Sequence, residues 1–216
     1  MYLTITKNLI DLSAGSEVVL RHQTWTDYEA ILVSRQDNAA IKIYFDALTQ
    51  EIQLMAPLPE HGNKSDTLTD LVKVLLKKHG QDWQCFDPIT LKRYGLKGIE
   101  PDACFYIENR RAILGKAQID LEFDPPPDLA IEIDVTSLTR PEDYADIKIP
   151  ELWLYRDRTL LIYLWDGQQY QASTVSRLFP IIPVIQILPQ YVEMAWNKGS
   201  SIAIREFEQV ISNKIS

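Results

Sequence analysis

The run Leu129-Ala-Ile-Glu-Ile-Asp-Val constrains the fold of this chain more than any other segment. Its Leu, Ile and Val content suits a strand buried on both faces inside a sheet, yet two carboxylates interrupt it. Side chains alternate across a strand, so Glu132 and Asp134 share one face, with Ile131, Ile133 and Val135 at the alternate positions. Carboxylates in such surroundings are costly unless something compensates them. Pro101-Asp102 opens another strand-like segment. If that segment is the neighbour, Asp102, Glu132 and Asp134 converge within ligand distance of a hard cation such as Mg²⁺, which takes oxygen ligands and keeps water for substrate and nucleophile. In phosphodiester hydrolysis such an ion polarises the phosphoryl group, generates hydroxide and stabilises the leaving oxygen. The competing arrangement turns Glu132 and Asp134 to solvent on an edge strand, and strand physics alone leaves both open.

The rest of the chain supplies elements to pack around that strand. Thr24 to Leu32 reads as a short helix capped by Thr24 or Thr26. Ile41 to Ala47 and Glu51 to Ala56 alternate apolar and polar residues around Leu48-Thr-Gln, which predicts an antiparallel hairpin. Leu68, Leu71, Val72, Leu75 and Leu76 share one face of a helix over about Ser65–His79, with Gly80 as its stop. Three β-type segments follow, Trp83–Phe86, Thr90–Tyr94 and Ala103–Ile107, and then the Leu129 strand after Pro125-Pro-Pro. A short helix is expected over Pro141–Ile147, then a second hairpin from Glu151–Tyr155 and Leu160–Trp165, and terminal helices over Ile185–Asn197 and Ser201–Ile211. This order predicts an α/β fold. Trp153, Tyr155, Tyr163 and Trp165, with Tyr94 and Tyr106, are expected to pack in the core rather than stack on bases.

At 216 residues the chain fits one domain, 1–216, with a core over about 25–170 and a C-terminal helical segment at 183–214. Its apolar fraction of 46% and charged fraction of 24% are those of a globular protein, not a disordered one. Cys85 and Cys104 form no metal-binding or disulfide pattern. The start, Met1 to Lys7, lacks a leader pattern, and no apolar run reaches the ~20 residues of a membrane span, so a cytoplasmic location is expected. The net charge of -8 opposes nucleic-acid binding, which draws affinity from neutralised phosphates. Bound cations would offset an acidic cluster, and Lys92, Arg93, Lys97, Arg110 and Arg111 are candidates for a positive rim. No Gly-rich phosphate loop or GxSxG motif is present, so other phosphate-ester and acyl-transfer chemistries lack a signal.

Three motifs in order, Lys97-Gly-Ile-Glu-Pro-Asp-Ala-Cys-Phe-Tyr-Ile, Pro125-Pro-Pro-Asp-Leu-Ala-Ile-Glu-Ile-Asp-Val-Thr-Ser and Tyr144-Ala-Asp-Ile-Lys-Ile-Pro-Glu-Leu-Trp, resemble the Uma-type restriction endonucleases. The resemblance extends over roughly Trp25 to Tyr170 and takes in Pro57-Leu-Pro-Glu-His-Gly. It implies the PD-(D/E)XK, restriction-endonuclease-like fold, a mixed β-sheet core flanked by helices. It further implies Mg²⁺ or Mn²⁺ as cofactor and DNA as substrate. By position Asp102 and Glu132 match the two strand acids, Glu60 a glutamate near the first core helix, and His61 a further family position. The set expected at the metal is Asp102, Glu132, Asp134 and Glu60. The pattern calls for lysine two residues after Glu132, where it would orient water and stabilise charge, but Asp134 stands there. Relatives that carry it on the following helix place it where this chain has Arg140, which stays protonated and serves poorly as a base. Lys148 and Lys92 are the other candidates. The apolar second hairpin and Ile-rich terminus, with the demands of two-strand cleavage, predict a homodimer. The alternative is a non-catalytic binding or assembly protein on the same fold.

Overall fold

The structure is a computed structural model and describes residues 4–6, 9–35, 41–135 and 138–214. Thr136 and Ser137, which close the second motif, lie outside the described residues, as do Met1–Leu3 and Lys7 of the N-terminal segment. Strands β1 (Thr4–Thr6), β2 (Leu9–Asp11) and β3 (Glu17–Arg21) precede helix α1 (Trp25–Arg35). Thr24 caps that helix: its hydroxyl accepts the Asp27 amide while its own amide donates to the Asp27 carboxylate at 2.8 Å. The expected hairpin is β4 (Lys42–Asp46) and β5 (Glu51–Met55), antiparallel. Helix α2 (Pro59–Lys78) follows, then β6 (Gln84–Phe86), β7 (Leu91–Arg93), β8 (Lys97–Ile99), β9 (Ala103–Tyr106) and the four-residue α3 (Arg110–Ile113). The Leu129 run is β10 (Leu129–Asp134), and a 3-10 turn spans Pro141–Tyr144. Strands β11 (Glu151–Arg156), β12 (Thr159–Trp165) and β13 (Tyr170–Ser173) and helices α4 (Val184–Lys198) and α5 (Ser200–Lys214) complete the chain.

The strands form two larger sheets. One has the order β13-β12-β11-β10-β9-β6 and is mixed, since β10 and β11 run parallel while its other pairs are antiparallel. The other is antiparallel, in the order β3-β5-β4-β8-β7. The α/β class and the mixed sheet flanked by helices agree with the sequence-based expectation. β10 is an interior strand with every residue buried, so the edge-strand arrangement is excluded. Its Leu129, Ile131 and Ile133 face α2, α4 and α5, in a core shared with Leu68, Leu71, Leu75, Leu188, Val192 and Phe207. Parallel β10 and β11 need a crossover, and the segment carrying the 3-10 turn provides it.

Three local differences matter. Helix α2 begins at Pro59 rather than near Ser65, because proline at the first helical position needs no hydrogen-bonded N–H. Glu60 and His61 are therefore helical. The helix expected over Pro141–Ile147 is only a 3-10 turn, capped by Arg140 and Asp143. Tyr94 is exposed, because the β7–β8 turn carries it outside the sheet, where its ring packs edge-on with Trp25. Tyr106, Trp153 and Tyr155 are buried as expected.

Candidate active site

The two strand acids meet where the sheets face each other. Ile131 pairs with Ala103 across antiparallel β9 and β10, which sets Glu132 beside Asp102. Between them enters a side chain from the other sheet, Lys42 on β4. Its Nζ donates to Asp102 Oδ1 at 2.8 Å and to Glu132 Oε2 at 2.9 Å. Lys42, Asp102 and Glu132 are 1%, 5% and 2% exposed, so water screens this ion triad little. Strand alternation explains the approach: Ile43 and Phe45 pack beneath α1 with Tyr28, which turns Lys42 and Tyr44 toward the mixed sheet. The Ile43 amide donates to Glu100 at 2.8 Å, and Arg35 of α1 pairs with the same carboxylate, so β4 is held from both sides.

The remaining donors complete the triad. Asp102 Oδ2 accepts the Ile133 amide at 2.7 Å, and His61 Nε2 of α2 lies 3.0 Å from the same oxygen without hydrogen-bond alignment. The Tyr144 hydroxyl donates to Glu132 Oε1 at 2.5 Å, and that of Tyr44 stands 3.5 Å from it. Other buried acids (Glu100, Asp124, Asp128, Glu151) each accept a backbone amide and act as staples of strand and loop. Among the described residues Glu132 accepts only from side chains.

Electrostatics separates the two carboxyls. Burial would push Asp102 up, but the Lys42 ammonium, with His61, holds it well below the usual carboxylate range. Burial pushes Glu132 up to about 8; Lys42 opposes the rise and the negative charge of Asp102 adds to it. Burial would also lower the Lys42 amine, yet Asp102 and then Glu132 hold it well above the lysine range. The triad is thus an ionised aspartate, an ammonium and a carboxyl poised to exchange a proton near neutrality.

Glu132 also lines a cleft of about 330 Å³ with Asp134, Tyr44, Tyr144, Lys97 and Arg140. Asp134 shares that wall, but its carboxylate is taken by Arg156, at 2.9 Å from Nε, and by the Thr139 hydroxyl at 2.7 Å. Glu60 pairs with Lys64 of its own helix at 2.9 Å. Arg140 is exposed at the cleft, whereas Lys92 and Lys148 are not among its lining residues. The expected positive rim is largely engaged: Lys97 pairs with Asp46, Arg110 with Asp82, and Arg93 donates to the Asp146 carbonyl. Lys42 was absent from the sequence-based set. Its one signal was a lysine in the apolar strand Ile41-Lys-Ile-Tyr-Phe, and spacing along the chain does not tell that a second sheet faces it.

A divalent ion needs carboxylate oxygens with free lone pairs. The oxygens of Asp102 and Glu132 already face protein donors, and the Lys42 ammonium stands between them. Among the described residues no group of three or more His, Cys, Asp or Glu is arranged to hold a metal. As folded, the site does not fit the ion.

Comparison with known proteins gives the site a context. A family profile described as "Uma2: Putative restriction endonuclease" matches residues 25–197. No curated protein matches the chain. Among solved structures, that of "a putative nuclease belonging to DUF820 from Anabaena variabilis ATCC 29413" is similar, with a TM-score of 0.50 and 15% identity, over 69% of this chain and 90% of that one. At that identity the likeness speaks for a nuclease fold alone.

Proposed function

Because this chain belongs to the Uma2 family, we propose that it is a DNA endonuclease whose phosphodiester-hydrolysing centre is Asp102, Glu132 and Lys42, opening on the Glu132 cleft. The observation that carries this reading is the convergence of both family-matching acids on a lysine, 2.8 and 2.9 Å away, though none stands two residues after Glu132. Within the centre, Lys42 holds positive charge against both acids, and Tyr144 fixes the orientation of Glu132. Glu132, ionised as pH rises through about 8, takes the proton of a water whose oxygen bonds to phosphorus as the phosphorus–oxygen bond to the leaving group breaks, and the leaving oxygen takes its proton from solvent. Arg140 offers a guanidinium to a backbone phosphate at the cleft. No step is assigned to Mg²⁺ or Mn²⁺, which the donor set does not fit.

Nicking of supercoiled plasmid tests the proposal, run in Mn²⁺ and in a chelator. Activity by the wild type that falls at least about tenfold in both Glu132→Gln and Asp102→Ala supports it. Activity untouched by both substitutions removes the site. Cleavage of both strands would call for paired centres, hence a homodimer; a monomer mass in light scattering with double-strand breaks would overturn that part.

One observation favours a second reading, a non-catalytic binding protein on this fold: the two acids are internally neutralised by Lys42, and the cleft wall sets the acids Glu17, Asp46, Glu51 and Asp143 against only two cations, Lys97 and Arg140. DNA binding without nicking under either condition would decide for it.

A further inference from the structure

We propose that the Glu132 cleft takes an unpaired nucleotide of a DNA strand, its base edge donating to the carboxylates of Glu17 and Glu51, so that the substrate is single-stranded and guanine is favoured over thymine. The inference deepens the nuclease reading and rests on it for the chemistry that follows binding.

The depth of the centre disfavours a paired strand. Of the triad only Glu132 lines the cleft, and it is 2% exposed, so the phosphate to be hydrolysed has to enter. The volume of about 330 Å³ lies at the small end of ligand pockets, roughly 300–1,000 Å³. A duplex is a rod with a major groove about 12 Å wide and a phosphate charge every ~1.7 Å along its axis. It would span the mouth and bring both backbones against Glu17, Asp46, Glu51 and Asp143. One nucleotide of a separated strand brings a single phosphate, and Arg140 is the exposed cation that meets it.

The rest of the lining suits a base. Val19 and Leu138 are apolar and exposed at the cleft, a surface for the uncharged face of a base to cover. Carboxylates only accept hydrogen bonds, so an acidic wall that repels phosphate matches the N–H groups of a base edge, as glutamate accepts from the cytosine amine. Guanine offers two such donors side by side, N1–H and the N2 amine, on the edge that pairing occupies in a duplex. Thymine offers one N–H between two carbonyls, which a carboxylate opposes. Gln53 donates to one oxygen of Glu17 at 2.8 Å and Arg21 to one oxygen of Glu51 at 3.0 Å. Each carboxylate is thereby oriented and keeps acceptor capacity. The two groups stand on the antiparallel pair β3 and β5. Strand β3, with Glu17 and Val19, lies outside the residues 25–197 that the family profile matches, so this part of the wall is argued from the chain itself.

Fluorescence anisotropy with the full chain at one fixed salt concentration tests the idea. The probes are short end-labelled strands: all-thymine, thymine with one central guanine, and the guanine strand annealed to its complement. The guanine strand should bind about tenfold or more tighter than either the all-thymine strand or its own duplex. Glu17→Gln and Glu51→Gln, which replace an acceptor oxygen by a donor amide, should each narrow the guanine-to-thymine ratio and together remove it. Equal affinity for strand and duplex overturns the proposal. So does the absence of a guanine preference, a preference that survives both substitutions, or no binding of any probe up to about 100 µM. Binding and cleavage fail separately: selective binding of a strand that is never cut sinks the nuclease reading alone, and cutting of relaxed linear duplex as fast as single strand sinks this proposal alone.

Discussion

Lys42 and Glu132 show how one charge decides the behaviour of a buried cluster. Removing a partner from a buried ion pair costs more than the pair contributes, because an unpaired charge remains out of water. Asp102→Ala should therefore destabilise the chain by about 3–5 kcal/mol in urea titration, well beyond a surface substitution. The pH response has a definite sign. An unfolded Glu132 titrates near 4.5, while burial holds the folded group up to about 8. Between those values the folded chain binds more protons than the unfolded one, so this group's contribution, complete below 4.5, is lost as pH rises through about 8. Asp102 acts in the opposite sense: its folded value lies below 3.8, so its contribution is present above 3.8 and disappears as pH falls through the folded value. The melting temperature should decline from about pH 5 to about pH 8, and Glu132→Gln should flatten that slope. An unchanged slope in the variant would assign the decline to other groups.

At the scale of elements, β4 and its neighbour β8 set the depth to which Lys42 reaches. Gly98 of β8 lies under the Tyr28 ring of α1: a Cβ there would sit 2.2 Å from the tyrosine oxygen and 2.6 Å from a ring carbon. Glycine is required for that close approach, not for an unusual backbone angle. Gly98→Ala should cost about 3 kcal/mol and push α1 off the sheet. Combined with Tyr28→Ala it should cost less than the sum of the two, since one clash is removed by either route; strict additivity in a double-mutant cycle would contradict this packing. The α2 helix teaches a similar point. Its apolar period marks Leu68 to Leu76, but its first turn, Pro59 to Gly62, is polar and was readable only from the proline. That turn brings His61 to Asp102.

Across the whole molecule, the C-terminal hairpin of helices α4 and α5 covers the face of the mixed sheet opposite the site. Val184, Ile187, Leu188, Val192, Phe207 and Ile211 complete the core against α2 and β10. Glu193 is the polar fastening of that cover: it pairs with Lys64 of α2 at 3.0 Å and accepts the Tyr155 hydroxyl of β11 at 2.9 Å. Glu193→Ala should cost about 1–3 kcal/mol and lower hydrogen-exchange protection in α4 and α5 before the central strands. Uniform loss of protection through the chain would show that the hairpin does not open as a unit. Among the described residues no helix is long and apolar enough to cross a membrane, as the apolar runs indicated.

Local pattern determined much of this protein. The apolar run at Leu129–Val135 fixed a buried strand, the periodicity of Leu68 to Leu76 fixed a helix, and the alternation at Ile41–Met55 fixed a hairpin, because each depends on neighbours along the chain. Asp102 and Glu132 were legible for the same reason: charge inside an apolar strand stands out in one dimension. Only the tertiary structure decided what meets them. Lys42 lies 60 residues from Asp102 and 90 from Glu132, and nothing along its strand tells that a second sheet covers the polar face. Asp134 is separated from Glu132 by one residue, yet Arg156 claims it across the β10–β11 pair. Periodicity says which way a side chain points from its own strand. It carries no information about which charge another strand brings to the same place, and in a buried site that charge decides the chemistry.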